Sequence, residues 1–465
     1  MSKLVKTEIG FLPKNWAVVT LGEIADVIDP HPSHRAPKVV DNGYPFAGIG
    51  DIDEYGNIRV KKARQISEEF ILEQERSYEI NEYSIGYGRV GTVGKVVKLR
   101  KQAYRYALSP TLAVINPKNN VNPRFVYCLV RTKNFYHQVL NHMTGTTRPA
   151  IGIQLLRKIK VPLPSPEEQN QIAESICSLD DKIEINTKTN QTLEQIAQAL
   201  FKSWFVDFDP VKAKIAAKQA GGTAEQIERA AMAAISGKTE PELDQLTPEQ
   251  IQNLKTTAAL FPDELVDSEQ GEIPKGWMVK SLDEIAHYQN GLALQKFRPE
   301  NEKDAIPVLK IAQLKKGFAD GDEQASSKIK AECIVNNGDI VFSWSGSLMV
   351  DIWCGGKVAL NQHLFKVTST DYPKWFYYYY TKHHLAEFQQ IAQAKAVTMG
   401  HIKREHLKQA VCAVPDVVLL ESLGETIAPL LDKAIAVRLE NRTLVELRDK
   451  LLPQLISGCL FLKPH

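Results

Sequence analysis

Cysteine is scarce in this sequence, with six in 465 residues (Cys128, Cys177, Cys333, Cys354, Cys412, Cys459) and no Cys-x-x-Cys spacing. That argues against both a structural zinc site and the dense disulfide framework of small secreted domains. No apolar run approaches the ~18 residues that a membrane-spanning helix needs. The opening stretch, MSKLVKTEIGFLPKNW, lacks the apolar core and small-residue cleavage site of a signal peptide. The expected compartment is the cytoplasm, with no membrane partner. Pro-Pro is absent throughout. An excess of one charge sign is missing too, since 57 basic residues nearly balance 55 acidic ones.

What is present describes a folded protein of several parts. An apolar fraction of 43% and a charged fraction of 24% are ordinary for globular chains, and the length predicts two or three domains. The near-neutral total hides an asymmetry. Asp207 to Gln270 holds 12 acidic and 6 basic residues, a net of −6, so the remainder carries +8 against the total of +2. A moderately basic body with an acidic insert is compatible with phosphate contacts.

The chain is written twice. LPKNWAVVTLGEIA (12–25) returns as IPKGWMVKSLDEIA (273–286), so that Trp277 lies 261 residues after Trp16. Farther along, Asp181-Lys182, Asn190 and Thr192-Leu193 return 251 residues later as Asp432-Lys433, Asn441 and Thr443-Leu444. Between these anchors the agreement is only in outline. Tyr44-Pro45 parallels Ile306-Pro307, SIGYGRVG (84–91) parallels DIVFSWSG (339–346), and ALSPTL (107–112) parallels ALNQHL (359–364). Repeats of this length precede any local motif in deciding a fold. Each middle region alternates short β-rich runs with Gly, Asn and Pro before turning helical, which predicts a mixed α+β domain. The aromatic run Trp375 to Tyr380 fits a helix packed on a sheet, with base stacking as the alternative.

After PLPSPEEQ (162–169) the pattern becomes a heptad. Ile172, Ile176, Leu179, Ile183, Asn186, Asn190, Leu193, Ala197, Leu200 and Trp204 are spaced by fours and threes. The second half supplies Leu423, Ile427, Leu430, Ala434, Val437, Asn441, Leu444, Arg448, Leu451 and Leu455. This is a coiled-coil seam. Two repeats of one unit pair most simply about an approximate two-fold, which makes the helices antiparallel. Asn190 and Asn441 are then expected near the middle as a register-fixing polar pair. The residues expected at the helix–helix and partner interface are Ile183, Asn190, Leu193, Leu200, Trp204, Leu430, Asn441, Leu444, Leu451 and Leu455. From Ile172 to Trp204 a rise of ~1.5 Å per residue gives roughly 48 Å. A rod of that length suits DNA segments about one turn apart, ~34–36 Å.

Two dissimilar domains, each followed by a long matching helix, resemble the specificity subunits of type I restriction–modification systems. The resemblance covers nearly the whole chain and rests on the paired openings, on FKSWFVDFDPVKAK (201–214), LFPDELVDSEQGEIPKGW (260–277) and LRDKLLPQLISG (447–458). It implies an α+β architecture of two pseudo-symmetric recognition domains separated by an antiparallel pair of helices. The parts are 1–164 (first recognition domain), 165–210 (first spacer helix), 211–270 (helical and acidic insert with linker), 271–415 (second recognition domain) and 416–465 (second spacer helix). It further implies recognition of a split, asymmetric double-stranded DNA target. Partners would be two methyltransferase subunits, which bind S-adenosylmethionine, and restriction subunits, which use ATP. The chain itself would carry neither cofactor, no metal and no catalytic residue. The segment Lys218 to Ala259 departs from the family pattern and reads as extra helix plus an acidic loop.

Other motifs weigh little. PFAGIGD (45–51) resembles a methyltransferase S-adenosylmethionine turn, but the [DNS]-P-P-aromatic motif that holds a flipped base requires Pro-Pro. A self-contained DNA adenine methyltransferase is therefore the weaker alternative, beside a coiled-coil scaffold that reads no DNA. ISGKT (235–239) and GRVGTVGKV (88–96) lack the glycine spacing of a phosphate-binding loop. His383-His384, His401 and His406 have no carboxylates at metal-ligand spacing and are expected to be solvent-exposed or base-contacting.

Base readout needs donors and acceptors at groove edges, placed by phosphate contacts. The candidate DNA-binding residues are Arg89, Thr146, Thr147 and Arg148 in the first domain. In the second they are Ser343, Trp344, Ser345, Gln362, His363, Thr398 and His401. Arg148→Ala is predicted to weaken or relax recognition of one half-site only, read as the binding profile on a randomised DNA pool. An unchanged profile removes Arg148 from the candidates.

Overall fold

The computed structural model describes residues 4–31, 37–53, 55–143, 149–268, 271–394 and 400–460. The chain divides into two units, one of residues 1–185 with 443–465 and the other of residues 186–442. No helix among the described residues is long and apolar enough to cross a membrane.

In the first unit a four-stranded antiparallel sheet runs in the order Ala25–Ile28, Leu112–Pro117, Ile85–Gly88, Val96–Lys98. The second unit has the same order with His287–Asn290, Leu364–Thr368, Ile340–Ser343 and Met349–Ile352. Leu112 to Ile115 and Ile340 to Ser343 are buried along their length, so these strands read as continuous runs rather than alternating ones. A neighbouring sheet in each unit contains a parallel pair. Phe46 and Ala47 face Ala107 and Leu108 in the first, and Val308 and Leu309 face Ala359 and Leu360 in the second. The weakly similar strings ALSPTL and ALNQHL thus occupy the same place. The second unit adds a strand, Ile334–Val335, to this sheet.

The repeated opening motif builds one joint twice. Trp16 and Trp277 each donate a backbone bond to the carbonyl of Pro13 or Pro274 at 3.0 Å. The Glu of LGEI or LDEI then reaches back, so that Glu23 accepts from the Thr20 amide and Glu284 from the Ser281 amide, both at 2.6 Å. Such a box satisfies amides at the start of a one-turn helix. Those bonds to backbone and hydroxyl hold both carboxyls below the usual carboxylate range. The Leu21 and Leu282 amides tie the turn to Ile159 O and Ala410 O, at 2.8 and 2.9 Å.

Both long helices contain 40 residues, Pro166–Phe205 and Val417–Ile456, or about 60 Å each. Ser165 and Glu168 cap the first, through Ser165 N to Glu168 Oε2 at 2.9 Å, with Pro166 at the first position. Asp416 Oδ1 caps the second by accepting from Leu419 N at 2.9 Å. Gly458, at φ 65°, ends it in the left-handed conformation that glycine adopts without strain.

Within each unit the helix segments run antiparallel. In the second, Asn186 Nδ2 donates to Glu440 Oε2 at 2.9 Å and Asn441 Nδ2 to Thr187 Oγ1 at 3.3 Å, while Ala197, Phe201, Ile427 and Leu431 share its core. In the first, Arg448 meets Asp180 at 3.0 Å, and Ile172 and Ile176 share a core with Leu452, Leu455 and Ile456. This register corrects the expected Asn190–Asn441 pair, because Asn441 lies opposite Thr187. Of the interface candidates, Ile183, Trp204 and Leu455 are buried, whereas Asn190, Leu193, Leu200, Leu430, Asn441, Leu444 and Leu451 are half-buried.

The segment expected as extra helix and acidic loop is helical throughout most of its length: Asp209–Gln219, Ala224–Ser236, Glu240–Leu243 and Pro248–Leu260. Thr239 with Glu242 and Thr247 with Gln250 form capping boxes, which is why an acidic stretch folds into turns of helix. Phe208, Val211, Met232, Ile235 and Phe261 bury into the second unit's core. Trp375 through Tyr380 are all buried, and the Tyr380 hydroxyl donates to Ala413 O at 2.7 Å. The aromatic run is core.

Asp180 is 8% exposed and lies between Arg131 and Arg448. Asp180→Ala removes the carboxylate that Arg131 meets and one of the two that Arg448 meets, the other being Asp449. It is expected to destabilise the first unit by about 3–5 kcal/mol, read as a shift in the urea-unfolding midpoint. A cost under about 1 kcal/mol would mark the triad as solvated.

Candidate nucleic-acid interface

Each four-stranded sheet ends in a loop held by one pattern of backbone bonds. In the first unit Gly91 N donates to Pro149 O at 3.0 Å and Ile151 N to Arg89 O at 2.9 Å, with a bridge between Val90 and Ala150. In the second, Gly346 N donates to Gly400 O at 2.8 Å and Ile402 N to Trp344 O at 3.0 Å, with a bridge between Ser345 and His401. The strand pairing of Gly88 with Leu112 and of Ser343 with Leu364 places Arg89 and Trp344 at corresponding positions. Thr111 and His363 correspond likewise.

The second unit brings several expected residues together. The Trp344 ring lies 6.0 Å from the His363 ring, 6.3 Å from that of His401 and 5.7 Å from that of Phe365. Gln362 Nε2 approaches His363 Nε2 at 3.4 Å. Gln362 and His401 are exposed, while Trp344 and His363 are half-buried beneath them. Trp344 Nε1 and His363 Nδ1 are covered and have no hydrogen-bond partner among the described residues. The arrangement is an aromatic floor with an amide and an imidazole at its rim. A glutamine amide has the donor–acceptor spacing to bond an adenine edge bidentately.

Three expected residues serve structure instead. Ser343 is fully buried and donates to Ser345 O at 3.1 Å, and Ser345 is 4% exposed; both shape the loop from inside. Arg89 is 7% exposed and its Nη2 meets Asp29 Oδ2 at 2.6 Å. The guanidinium is held by a carboxylate rather than presented to a groove. Thr146, Thr147, Arg148 and Thr398 lie outside the described residues. Two histidines expected at the surface are buried as well. His384 places Nε2 2.9 Å from Val411 O, and burial lowers its pKa. His406 Nδ1 accepts from Lys403 N at 2.9 Å.

Two cations escaped the sequence reading. Arg404 lies 5.4 Å over the Phe365 ring and donates to Tyr288 O at 3.0 Å, beside the Trp344 cluster. Its place three residues after His401 was the available signal. Lys95 Nζ donates to Ile49 O and Ile52 O at 2.8 and 2.7 Å. It closes the PFAGIGD turn, where Gly48 N also donates to Asp51 Oδ2 at 2.9 Å.

A family model described as the type I restriction modification DNA specificity domain matches residues 13–195 and 274–448. The HindI type I restriction enzyme specificity subunit of Haemophilus influenzae is 30% identical over 372 residues, covering 76% of this chain and 81% of that relative. The MjaIX type I restriction enzyme specificity subunit of Methanocaldococcus jannaschii is 25% identical over 472 residues, covering 97% and 95%. The crystal structure of a type I restriction–modification S subunit from M. genitalium superposes with a TM-score of 0.50 at 13% identity over 97% of each chain, a likeness of fold.

Arg89→Ala is expected to cost about 2 kcal/mol, as loss of a charged hydrogen bond does, and to lower the thermal midpoint. Gln362→Ala, at an exposed position, should leave that midpoint unchanged. The reverse ranking would contradict the assignment of Arg89 to structure and Gln362 to the surface.

Proposed function

This chain belongs to the type I restriction–modification DNA-specificity family, and from that premise we propose that it reads a split DNA target for a partner methyltransferase without catalysing a reaction itself. The observation carrying this reading is the pair of corresponding loops with unlike chemistry. One position holds Arg89, bound to Asp29, with Thr111 beside it. The other holds Trp344 with His363, His401 and Gln362. One frame carrying two chemistries suits two different half-sites, hence an asymmetric gapped sequence. Phosphate contacts would set the register and the loop side chains would read base edges.

Docking of two methyltransferase subunits suits the long helices. Ile196 and Leu447, 44% and 43% exposed, stand 251 residues apart at repeat-equivalent positions. Two equal apolar positions on equivalent helices match two copies of one partner. Restriction subunits that use ATP would join the same assembly in the cytoplasm, where its DNA is.

The test is selection from a randomised duplex pool by the chain reconstituted with its methyltransferase. The expected outcome is enrichment of one gapped, asymmetric motif, with Gln362→Ala/His401→Ala relaxing one half alone. Enrichment of no motif, or relaxation of both halves together, would refute the reading. Ile196→Asp or Leu447→Asp should each reduce the bound methyltransferase from two copies to one by native mass spectrometry; two retained copies would place the docking surface elsewhere.

A further inference from the structure

At the strand edge the two recognition domains grip their helices through charges of opposite arrangement, although away from that edge Lys382 of the second domain meets Glu194 of a long helix at 2.6 Å. In the first unit the domain's described contacts with the first long helix set cations on the domain against anions on the helix, while Arg448 of the second long helix shares Asp180. Arg124 meets Asp181, Arg131 meets Asp180, and Arg100 embraces Glu184 through both guanidinium nitrogens at 3.1 and 2.9 Å. Lys98 adds a contact to Glu184 at 3.5 Å. Glu184 is 7% exposed, so this junction is sheltered.

In the second unit the sign at the strand edge is reversed. The domain supplies Asp351, and the helix supplies Arg438, which binds it through two bonds of 2.8 Å. Arg442, one turn on, reaches Cys354 O at 3.4 Å. Strand pairing puts Cys354 where the first domain has Arg100. The 251-residue repeat puts Leu431, Ile435, Arg438 and Arg442 where the first helix has Asp180, Glu184, Thr187 and Gln191. Leu431 is 3% exposed.

We infer that these junctions are keys: the acidic face of the first helix accepts a domain with a basic strand edge, the basic face of the second accepts an acidic one, and the two recognition domains cannot exchange places. The first domain seated on the second helix would aim Lys98 and Arg100 at Arg438 and Arg442. Arg131 would be driven against Leu431. Like charges in a sheltered junction, and a buried cation facing leucine, each oppose that arrangement. The inference goes beyond DNA reading, since it concerns which domain each helix accepts.

The experiment replaces residues 273–414 of the full chain by residues 12–163, with and without four helix substitutions, Leu431→Asp, Ile435→Glu, Arg438→Thr and Arg442→Gln. The transposed chain should lose soluble yield or melt roughly 10 °C below the native protein, and the four substitutions should restore most of that loss. Native-like melting of the unsubstituted transposed chain would overturn the inference. So would failure of the four substitutions to improve it, since the barrier would then not be charge. In the native sequence, Glu184→Arg should lower the midpoint and added Lys98→Glu/Arg100→Glu should recover it; no recovery would again overturn the key. No DNA enters these readouts, so they stand apart from the test of sequence recognition.

Discussion

Each domain of this protein depends on the antiparallel seam between its two long helices, because neither recognition sheet closes its own core. The first unit's core runs from Val161 and Leu129 into Ile172 and Ile176 of one helix and Leu452, Leu455 and Ile456 of the other. The second unit's core runs from Tyr380 and Val414 into Phe201, Trp204 and Phe205 and on to Leu423 and Ile427. A fully buried aliphatic or aromatic side chain contributes about 1.5–3 kcal/mol, so the helices supply a large share of what holds each domain together. The divide between the units falls inside both helices, after Ile185 and after Arg442. Each unit therefore owns a segment of both.

Much of this was legible in the sequence, because it depends on periodicity and repetition. The heptad seam predicted two paired helices, and both proved to be 40 residues long. The openings LPKNW and IPKGW predicted a repeated unit, and the capping boxes of Glu23 and Glu284 are part of its physical content. Even the faint match of ALSPTL to ALNQHL marked corresponding parallel pairings.

What remained hidden depends on contacts between residues distant in the chain. Arg89 in a glycine-rich loop has the composition of a DNA contact, yet Asp29, sixty residues earlier, holds it. Ser343 has the chemistry of a base reader but ends a strand buried on both sides. The asparagine register depends on where two helices meet, and Asn441 lies opposite Thr187 rather than Asn190, a shift of most of a turn that repetition alone leaves open. The insert reads as extra helix plus an acidic loop, and how far the helix extends is less legible, because net charge says little about helix formation, whereas its Thr-x-x-Glu and Thr-x-x-Gln caps say more. By contrast Trp344, His363, Gln362 and His401, drawn from three separate strings, converge on one surface.

A frame that repeats, with loops that differ, separates the problem of placing a reader on DNA from the problem of what it reads. The most direct test of that account is a genome-wide map of methylated bases in host cells with and without this gene. The account predicts that deletion erases methylation at one asymmetric, gapped motif, and that replacing one recognition domain by the same-position domain of a relative changes one half of it alone. A methylation map that is unchanged by deletion, in cells shown to express an active partner methyltransferase, would contradict it.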